Sequence, residues 1–331
     1  MSAVWPDIPY ESWHDTCSAL HLYSQIVGKY RLARTPWINH SWHATLYVNA
    51  RGLTTSLVPD GPGGVEVAFD LLAHEVTAAA SDGSRARFPL RPMSVASFQA
   101  QFRDLLRDVG GTPEFDGRPN EMPDPVPFDE DRAERPYAAD AVTRFFHALV
   151  AIDRVFKLFR TGFLGKVSPV HLFWGGFDLA VTRFSGRSAP LHPGGIPALS
   201  DKVTREAYSH EVSSAGFWPG GGGVEFPAFY SYAYAAPPGF SDAHIEPAEA
   251  YFDKRLGEFV LPYHIVRRSQ RPDAVLMAFL ESTYNAAADL GGWNRAALEC
   301  PTGAPRKPRP LFVAAGDREA ERQMTARPTK T

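Results

Sequence analysis

The segment from residue 170 to residue 187 carries side chains that could take part in binding or catalysis, at spacings typical of a β-strand. Asp178 stands in an apolar run, and a buried carboxylate must be paired or coordinated. If the segment is one strand, Trp174 and Asp178 share a face and His171 lies on the other. Gly175 and Gly176 interrupt the packing and predict a bulge or a close approach of backbone or ligand.

Two arginines follow on the same segment. Ser185 and Gly186, between Arg183 and Arg187, predict a tight turn whose N–H groups lie beside two guanidiniums. This arrangement suits a carboxylate or phosphate ligand, so Arg183, Arg187 and Ser185 are candidate ligand-binding residues. The alternatives are a structural ion pair between Asp178 and an arginine, or arginines that are simply solvated.

A histidine and a glutamate stand together farther along. His210 and Glu211 point to opposite faces of a strand, so they cannot form a local acid–base pair. A histidine near neutral pKa is a common general base, although a hydrogen-bonded structural role also fits His210. We predict His210 as the acid/base, with Asp178 assisting it. The candidate catalytic set is His210, Asp178, His171 and Glu211.

Aromatic residues are concentrated near these polar groups. Tyr230, Tyr232 and Tyr234 alternate along one strand, so their phenols share a face. Trp218 lies in a glycine-rich loop that could close over a ligand. We predict that Trp174, Trp218, Tyr230 and Tyr232 form the walls of a pocket. The alternatives are a tyrosine ladder on the outer face of the sheet and an ordinary flexible hairpin.

Metal and cofactor signals are weak. His40 and His43 could share a metal if the chain turns between them, but no third ligand stands at a diagnostic spacing. Cys17 and Cys300 provide neither a disulfide framework nor a zinc-type pair. The chain lacks glycine-rich dinucleotide and phosphate motifs and the nucleophile elbow. The sequence therefore indicates no particular cofactor.

Composition narrows the class of protein. The chain has 331 residues, 44% of them hydrophobic and 21% charged, which is ordinary for a globular protein. A net charge of −3 and a pI near 6.4 argue against nucleic acid and anionic membranes as partners. We find no signal peptide and no apolar run of about 18 residues, so we expect a soluble cytoplasmic protein.

The order of predicted elements suggests an internal duplication of the chain. Gly28-Lys29, a tryptophan-rich strand beginning at Trp42, and His74-Glu75 recur as Gly165-Lys166, Trp174 and His210-Glu211. We predict an α+β fold of two similar modules, each a curved antiparallel sheet with helices packed on one face. The N-terminal scaffold module would span 1–125 and the C-terminal, site-bearing module 126–300. A disordered tail would follow at 301–331.

Several motifs also resemble a known family. The runs at 168–187, 208–212, 216–220 and 25–29 are similar to a bacterial family described as domain of unknown function 5996. The resemblance covers most of residues 5–300. It implies membership of that family and brings no activity, so every role assigned above depends on the residues themselves.

These patterns lead to one main functional prediction and two alternatives. We predict an enzyme acting on a small, polar, anionic metabolite in the second module or at the seam between modules. His210 would supply acid/base chemistry, and Arg183 and Arg187 would bind the anion. The alternatives are a non-catalytic small-ligand-binding or sensor protein and a metalloenzyme built from histidines and carboxylates. The sequence predicts no oligomeric state.

Overall fold

The computed structural model describes residues 4–309, and its helices largely follow the apolar periodicity of the sequence. Ser94 caps the start of one helix, because its side chain accepts a hydrogen bond from the N–H of Ser97. The α-helices in this part of the chain are α1 (His14–Arg34), α2 (Val95–Asp108), α3 (Ala139–Thr161), α4 (Asp201–Ala207), α5 (Tyr263–Arg268), α6 (Pro272–Leu290) and α7 (Arg295–Leu298). None of the described helices is long and apolar enough to cross a membrane.

The strands form two antiparallel sheets. The first sheet is a meander in chain order, made of β1 (Tyr47–Val48), β2 (Gly52–Asp60), β3 (Gly63–Asp70), β4 (Glu75–Ala80) and β5 (Arg85–Pro89). The second contains β6 (His171–Phe173), β7 (Asp178–Ser188), β8 (His210–Trp218), β9 (Ala228–Tyr234), β10 (Tyr251–Asp253) and β11 (Glu258–Pro262). Its order is β10-β11-β9-β8-β7-β6. The predicted α+β class is therefore confirmed.

The two sheets meet edge to edge. Leu46, just before β1, and Leu172 in β6 form an antiparallel bridge with backbone hydrogen bonds of 2.9 and 2.7 Å. Both leucine side chains are fully buried. Helices α1 and α2 pack against the first sheet, whereas α3 and α6 pack against the second. One continuous hydrophobic core includes residues from both halves of the chain.

Several predicted elements differ from those observed. The strand predicted from Trp42 is reduced to β1, because residues 42–44 form a turn in which Trp42 has helical backbone angles. The strand predicted over 170–184 is a hairpin of β6 and β7, with its turn at residues 174–177. Pro247 is a residue type typical of a helix start, but no helix begins there, and that region contains β10, which pairs with β11.

The observed elements do not confirm the predicted repeat. Each half contains a long helix, an antiparallel meander and a further helix. The two Gly-Lys pairs are not equivalent, however, because Gly28 lies inside α1 whereas Gly165 follows the end of α3. Gly28 does not end its helix, which continues to Arg34. A Cβ there would lie 2.3 Å from the Trp174 indole, so this glycine permits close packing.

The predicted tail begins within the described residues. Gly303 donates a backbone hydrogen bond of 2.8 Å to Thr161 Oγ1, and Arg309 donates to the Thr161 carbonyl. Residues 301–309 therefore contact the C-terminal end of α3. The rest of the predicted disordered tail, 310–331, lies outside the described residues.

Candidate functional site

A cavity of about 600 Å³ lies on one face of the second sheet. Strands β7, β8, β9 and β11 provide its floor. Its walls come from α1, from residues 37–44 and 116–121, and from α4 with the loop before it. Because α1 and the 37–44 segment belong to the N-terminal half, the cavity lies at the seam between the halves.

Side-chain alternation along β7 separates the cavity from the opposite face of the sheet. The even-numbered residues from Asp178 to Phe184 line the cavity. Arg183 faces α3 and α6 instead, with its guanidinium carbon 3.4 Å from the Phe159 ring centroid and 4.3 Å from that of Tyr284. It also forms an ion pair of 3.2 Å with Glu281. Arg183 is thus used in packing on the far side of the sheet.

Asp178 is anchored by a tyrosine that crosses the neighbouring strand. The Tyr230 hydroxyl in β9 donates a hydrogen bond to Asp178 Oδ2 in β7. Gly216 in β8 makes this reach feasible, since a Cβ at that position would lie 2.3 Å from the Tyr230 ring. Trp218 then stacks on Tyr230, with ring centroids 4.2 Å apart. A glycine on the middle strand therefore positions a phenol and a carboxylate together.

A second carboxylate reaches the same place from the segment between the halves. A Cβ at Gly175 would lie 1.9 Å from Glu121 Oε1, so only a glycine turn admits this side chain. A Cβ at Gly176 would lie 2.9 Å from Asp178 Oδ1 and 4.0 Å from Glu121 Oε2. The two acids therefore converge on the Gly175-Gly176 turn, which fits the predicted close approach.

A polar stripe on α1 holds this arrangement. His21 Nε2 lies 2.7 Å from the Gly175 carbonyl, and Gln25 exchanges hydrogen bonds of 2.7 and 3.0 Å with the Asn120 backbone. Lys29 pairs with Asp116 at 2.5 Å. Since these residues are spaced by four, one face of α1 contacts both the glycine turn and the segment bearing Glu121.

Glu258, at the start of β11, is a further acid in the cavity lining. Its Oε2 atom is buried and has no hydrogen-bond partner among the described residues. The Tyr208 and Tyr232 hydroxyls, which also line the cavity, are 2.8 Å apart. The pKa of Tyr232 is raised first by burial, then by the interaction with Tyr208, and then by the charge of Glu258. Glu258 is thus a poorly satisfied carboxyl group near phenols.

These surroundings favour the neutral forms of Asp178, Glu121 and Glu258. Burial raises the pKa of Asp178 to about 6, against the stabilising hydrogen bond from Tyr230. Burial and the charge of Asp178 raise the pKa of Glu121 to about 7. Burial, Asp178 and Asp253 raise the pKa of Glu258 to about 8. Glu121 keeps exposed surface because it faces the cavity. These three carboxyl groups can therefore exchange protons near neutral pH.

His40 lines the cavity as a neutral ring with a defined tautomer. Lys166 Nζ, which can only donate, lies 2.6 Å from His40 Nε2. The Nδ1 atom therefore carries the hydrogen and donates to the Ala207 carbonyl at 2.7 Å. Burial lowers the pKa of His40, which keeps the ring uncharged near neutral pH. This contact attaches α4 to the 37–44 segment.

Some sequence-predicted site residues line the cavity and others lie elsewhere. The lining includes Asp178, Trp174, Trp218, Tyr230 and Tyr232. The Trp174 indole N–H donates to the Ala44 carbonyl at 2.6 Å, which fixes that wall.

Three predicted residues instead form a separate cluster at the end of the second sheet. Glu211 Oε2 accepts hydrogen bonds from Ser185 Oγ at 2.7 Å and from Arg187 Nη2 at 2.6 Å. Arg187 also donates to the Gly291 carbonyl at 2.6 Å, near the end of α6. This contact set links strands to a helix terminus, outside the cavity lining.

The two histidines predicted to be catalytic also lie outside the lining. The His210 ring is 5.9 Å from that of His40, and its Nδ1 atom lies 3.1 Å from Ser209 Oγ. His171 is fully buried, with Nδ1 3.2 Å from Thr45 Oγ1. Burial, Arg160 and Arg31 lower the pKa of His171 to about 3. His171 thus stays neutral near physiological pH.

The described residues contain no group of three metal-binding side chains. His43 Nδ1 lies 3.3 Å from the Ile38 carbonyl, away from the partners of His40. Sequence reasoning missed Glu121 and Glu258 as site residues. The segment around Glu121 is rich in proline and acids, which is typical of a linker, whereas Glu258 follows an ordinary turn at Gly257.

Fold and site together define an α+β protein with an acidic, aromatic cavity at the seam between its two halves. The chain belongs to the family described as "Family of unknown function (DUF5996)", whose model matches residues 5–300. Comparisons with curated proteins and with solved structures gave no match.

Proposed function

We propose that the protein is an enzyme that performs general acid–base chemistry on a small molecule in this cavity, with Asp178 and Glu121 as the proton-transferring pair. The observation that supports it is their convergence on the Gly175-Gly176 turn. Pairs of acids whose surroundings shift their pKa values toward neutrality are typical of catalytic sites.

The two acids have different supports, which suggests different roles. The Tyr230 hydroxyl donates to Asp178 and favours its ionised form, so Asp178 would accept the proton from the substrate. Glu121 receives no hydrogen bond or ion pair from the described residues and is the better proton donor. The reaction would then need one proton taken and one given, with no covalent intermediate.

The residues proposed here for catalysis and binding differ in two respects from those predicted from the sequence. His210 was expected to supply the acid/base group, and the arginines were expected to bind an anion. Arg183 and Arg187 are engaged by Glu281 and Glu211 outside the lining, so the geometry does not support an anionic ligand at those guanidiniums. A non-catalytic binding protein would use the same cavity without turnover.

Turnover of a metabolite panel by purified variants tests the assignment. Asp178→Asn and Glu121→Gln should each lower kcat/KM by about 10²–10⁴-fold, as removal of a general acid or base does. Asp129→Asn and Glu130→Gln, on exposed positions, are matched controls and should leave kcat/KM unchanged. Full activity in both cavity variants would refute the pair, and loss of activity in His210→Gln alone would restore the histidine hypothesis.

We also propose that the two halves arose by duplication, with α1, β1 and β2 corresponding to α3, β6 and β7. The shared order of helix and meander supports this correspondence. Superposing residues 14–80 on 139–234 in an experimental structure should align these elements, and unrelated chain paths would contradict the duplication.

A further inference from the structure

The charged groups in the cavity lining are unbalanced. Four acids line it, namely Asp116, Glu121, Asp178 and Glu258, against one lysine, Lys29. Lys29 is already paired with Asp116, and burial lowers the pKa of His40 and keeps its ring neutral. The other three acids therefore have no basic partner in the described lining. A positively charged ligand would supply one.

An orphaned oxygen gives a second and independent indication. Glu258 Oε2 is buried and lacks a hydrogen-bond donor among the described residues. A buried acceptor left unsatisfied costs about 1–3 kcal/mol, so a donor from a ligand would be favoured there. This requirement selects a cation that carries N–H groups over a quaternary ammonium.

The aromatic walls suit the same kind of ligand. The Tyr230 ring stacks between Trp218 and Tyr232, with centroid distances of 4.2 and 6.1 Å. All three rings line the cavity together with Glu258. Aromatic faces attract ammonium and guanidinium groups through the ring quadrupole, and the attraction grows when water is excluded.

We propose that the cavity binds its substrate as an organic cation, an ammonium or guanidinium group held by Glu258 beside the rings of Trp218, Tyr230 and Tyr232. The inference rests on the proposed function, because it takes this cavity as the substrate site. It replaces the anionic metabolite expected from the sequence with a ligand of the opposite charge.

A series of four-carbon probes separates charge from shape. Putrescine, 1,4-butanediol and succinate have similar lengths but are cationic, neutral and anionic, and agmatine adds a guanidinium. Titration calorimetry of the full chain with each probe at millimolar concentration should show binding of putrescine and agmatine alone. Binding of succinate or butanediol without the cations would overturn the inference, as would failure of both cations to bind.

Two further measurements locate the cation. Glu258→Gln should weaken agmatine binding by about tenfold or more, the effect of losing one charged hydrogen bond, whereas Glu130→Gln should not. Near pH 7 a bound cation should also release protons, because it favours the ionised form of Glu258. Calorimetry in buffers of different ionisation enthalpy measures that release. Equal affinity in Glu258→Gln, or no proton release, would contradict the proposed subsite.

The outcomes for binding and catalysis are separable. If agmatine binds through Glu258 but Asp178→Asn leaves turnover intact, the cation site stands and the acid–base pair fails. If a neutral or anionic metabolite is turned over in an Asp178-dependent reaction, the catalytic proposal stands and the cation inference fails.

Discussion

At the scale of residues, the site depends on Glu121, Asp178 and Glu258, which line the cavity and have no basic partner among the described residues. Glu121 and Glu258 both have raised pKa values, for which burial is the first cause and the charge of Asp178 the second. Natural proteins keep such destabilising groups mainly where function requires them. Protonation or substitution of these acids should therefore change both the activity and the stability of the protein.

The pH dependence of catalysis follows from the two proposed partners. Asp178, with a pKa of about 6, must be ionised, and Glu121, with a pKa of about 7, must be protonated. We expect a narrow bell-shaped profile of kcat/KM with its maximum between these values. Initial-rate measurements across the pH range check this, and a flat profile would exclude the pair as the titrating groups.

Ionisation of Glu258 should destabilise the folded protein, whereas ionisation of a carboxyl group in an ordinary ion pair stabilises it. Its pKa of about 8 exceeds the usual 4.5, so between these values the folded protein holds a proton that the unfolded chain has lost. Wild-type stability should therefore fall as pH rises through this window. Glu258→Gln should raise the free energy of unfolding by on the order of 2 kcal/mol at about pH 9 and by little at about pH 5.

Urea unfolding at both pH values measures this difference, with Glu130→Gln as the exposed control. A variant that is less stable than wild type at high pH would show that the Glu258 carboxylate makes a stabilising contact in the folded protein.

At the scale of elements, glycines set the positions of the important side chains. Gly28 in α1, Gly175 in the β6–β7 turn and Gly216 in β8 each leave room for a neighbouring side chain. In a helix or strand interior, glycine usually costs about 0.5–1 kcal/mol relative to alanine. At Gly28 and Gly216 this cost is offset by the packing of Trp174 and Tyr230.

Gly216→Ala tests this role on β8. The new Cβ would overlap the Tyr230 ring, so we expect loss of the Tyr230–Asp178 hydrogen bond and destabilisation by about 1–3 kcal/mol. A crystal structure and urea unfolding of the variant measure the two effects. Ser213→Ala, on the same strand, is a comparison without that overlap. A stabilised variant with Tyr230 unmoved would contradict the packing argument.

At the scale of the whole molecule, the two halves are joined by more than their connecting segment. The Leu46–Leu172 bridge links the sheets, and Trp174 of the second half packs on Gly28 of the first. The hydrophobic core is continuous across this joint. These contacts argue for a single cooperative unit in place of independent modules at 1–125 and 126–300.

Hydrogen exchange can test this cooperativity. Slowly exchanging amides of β3 in the first sheet and β8 in the second should share one free energy of opening, because one global unfolding event exposes both. Gly28→Ala should lower the two values together, whereas Ser18→Ala on the exposed face of α1 should lower neither. Separate opening energies for the two sheets would support the two-module organisation.

The local pattern of the sequence determined the element types, the α+β class and part of the cavity wall. Alternation along β9 placed Tyr230 and Tyr232 on one face, because that signal depends on near neighbours in the chain. Only the tertiary structure decided which faces meet. It brought Glu121 and Glu258 to Asp178 and turned Arg183 toward α3 and α6. The surroundings of a charge depend on distant segments, and no local spacing encodes that proximity.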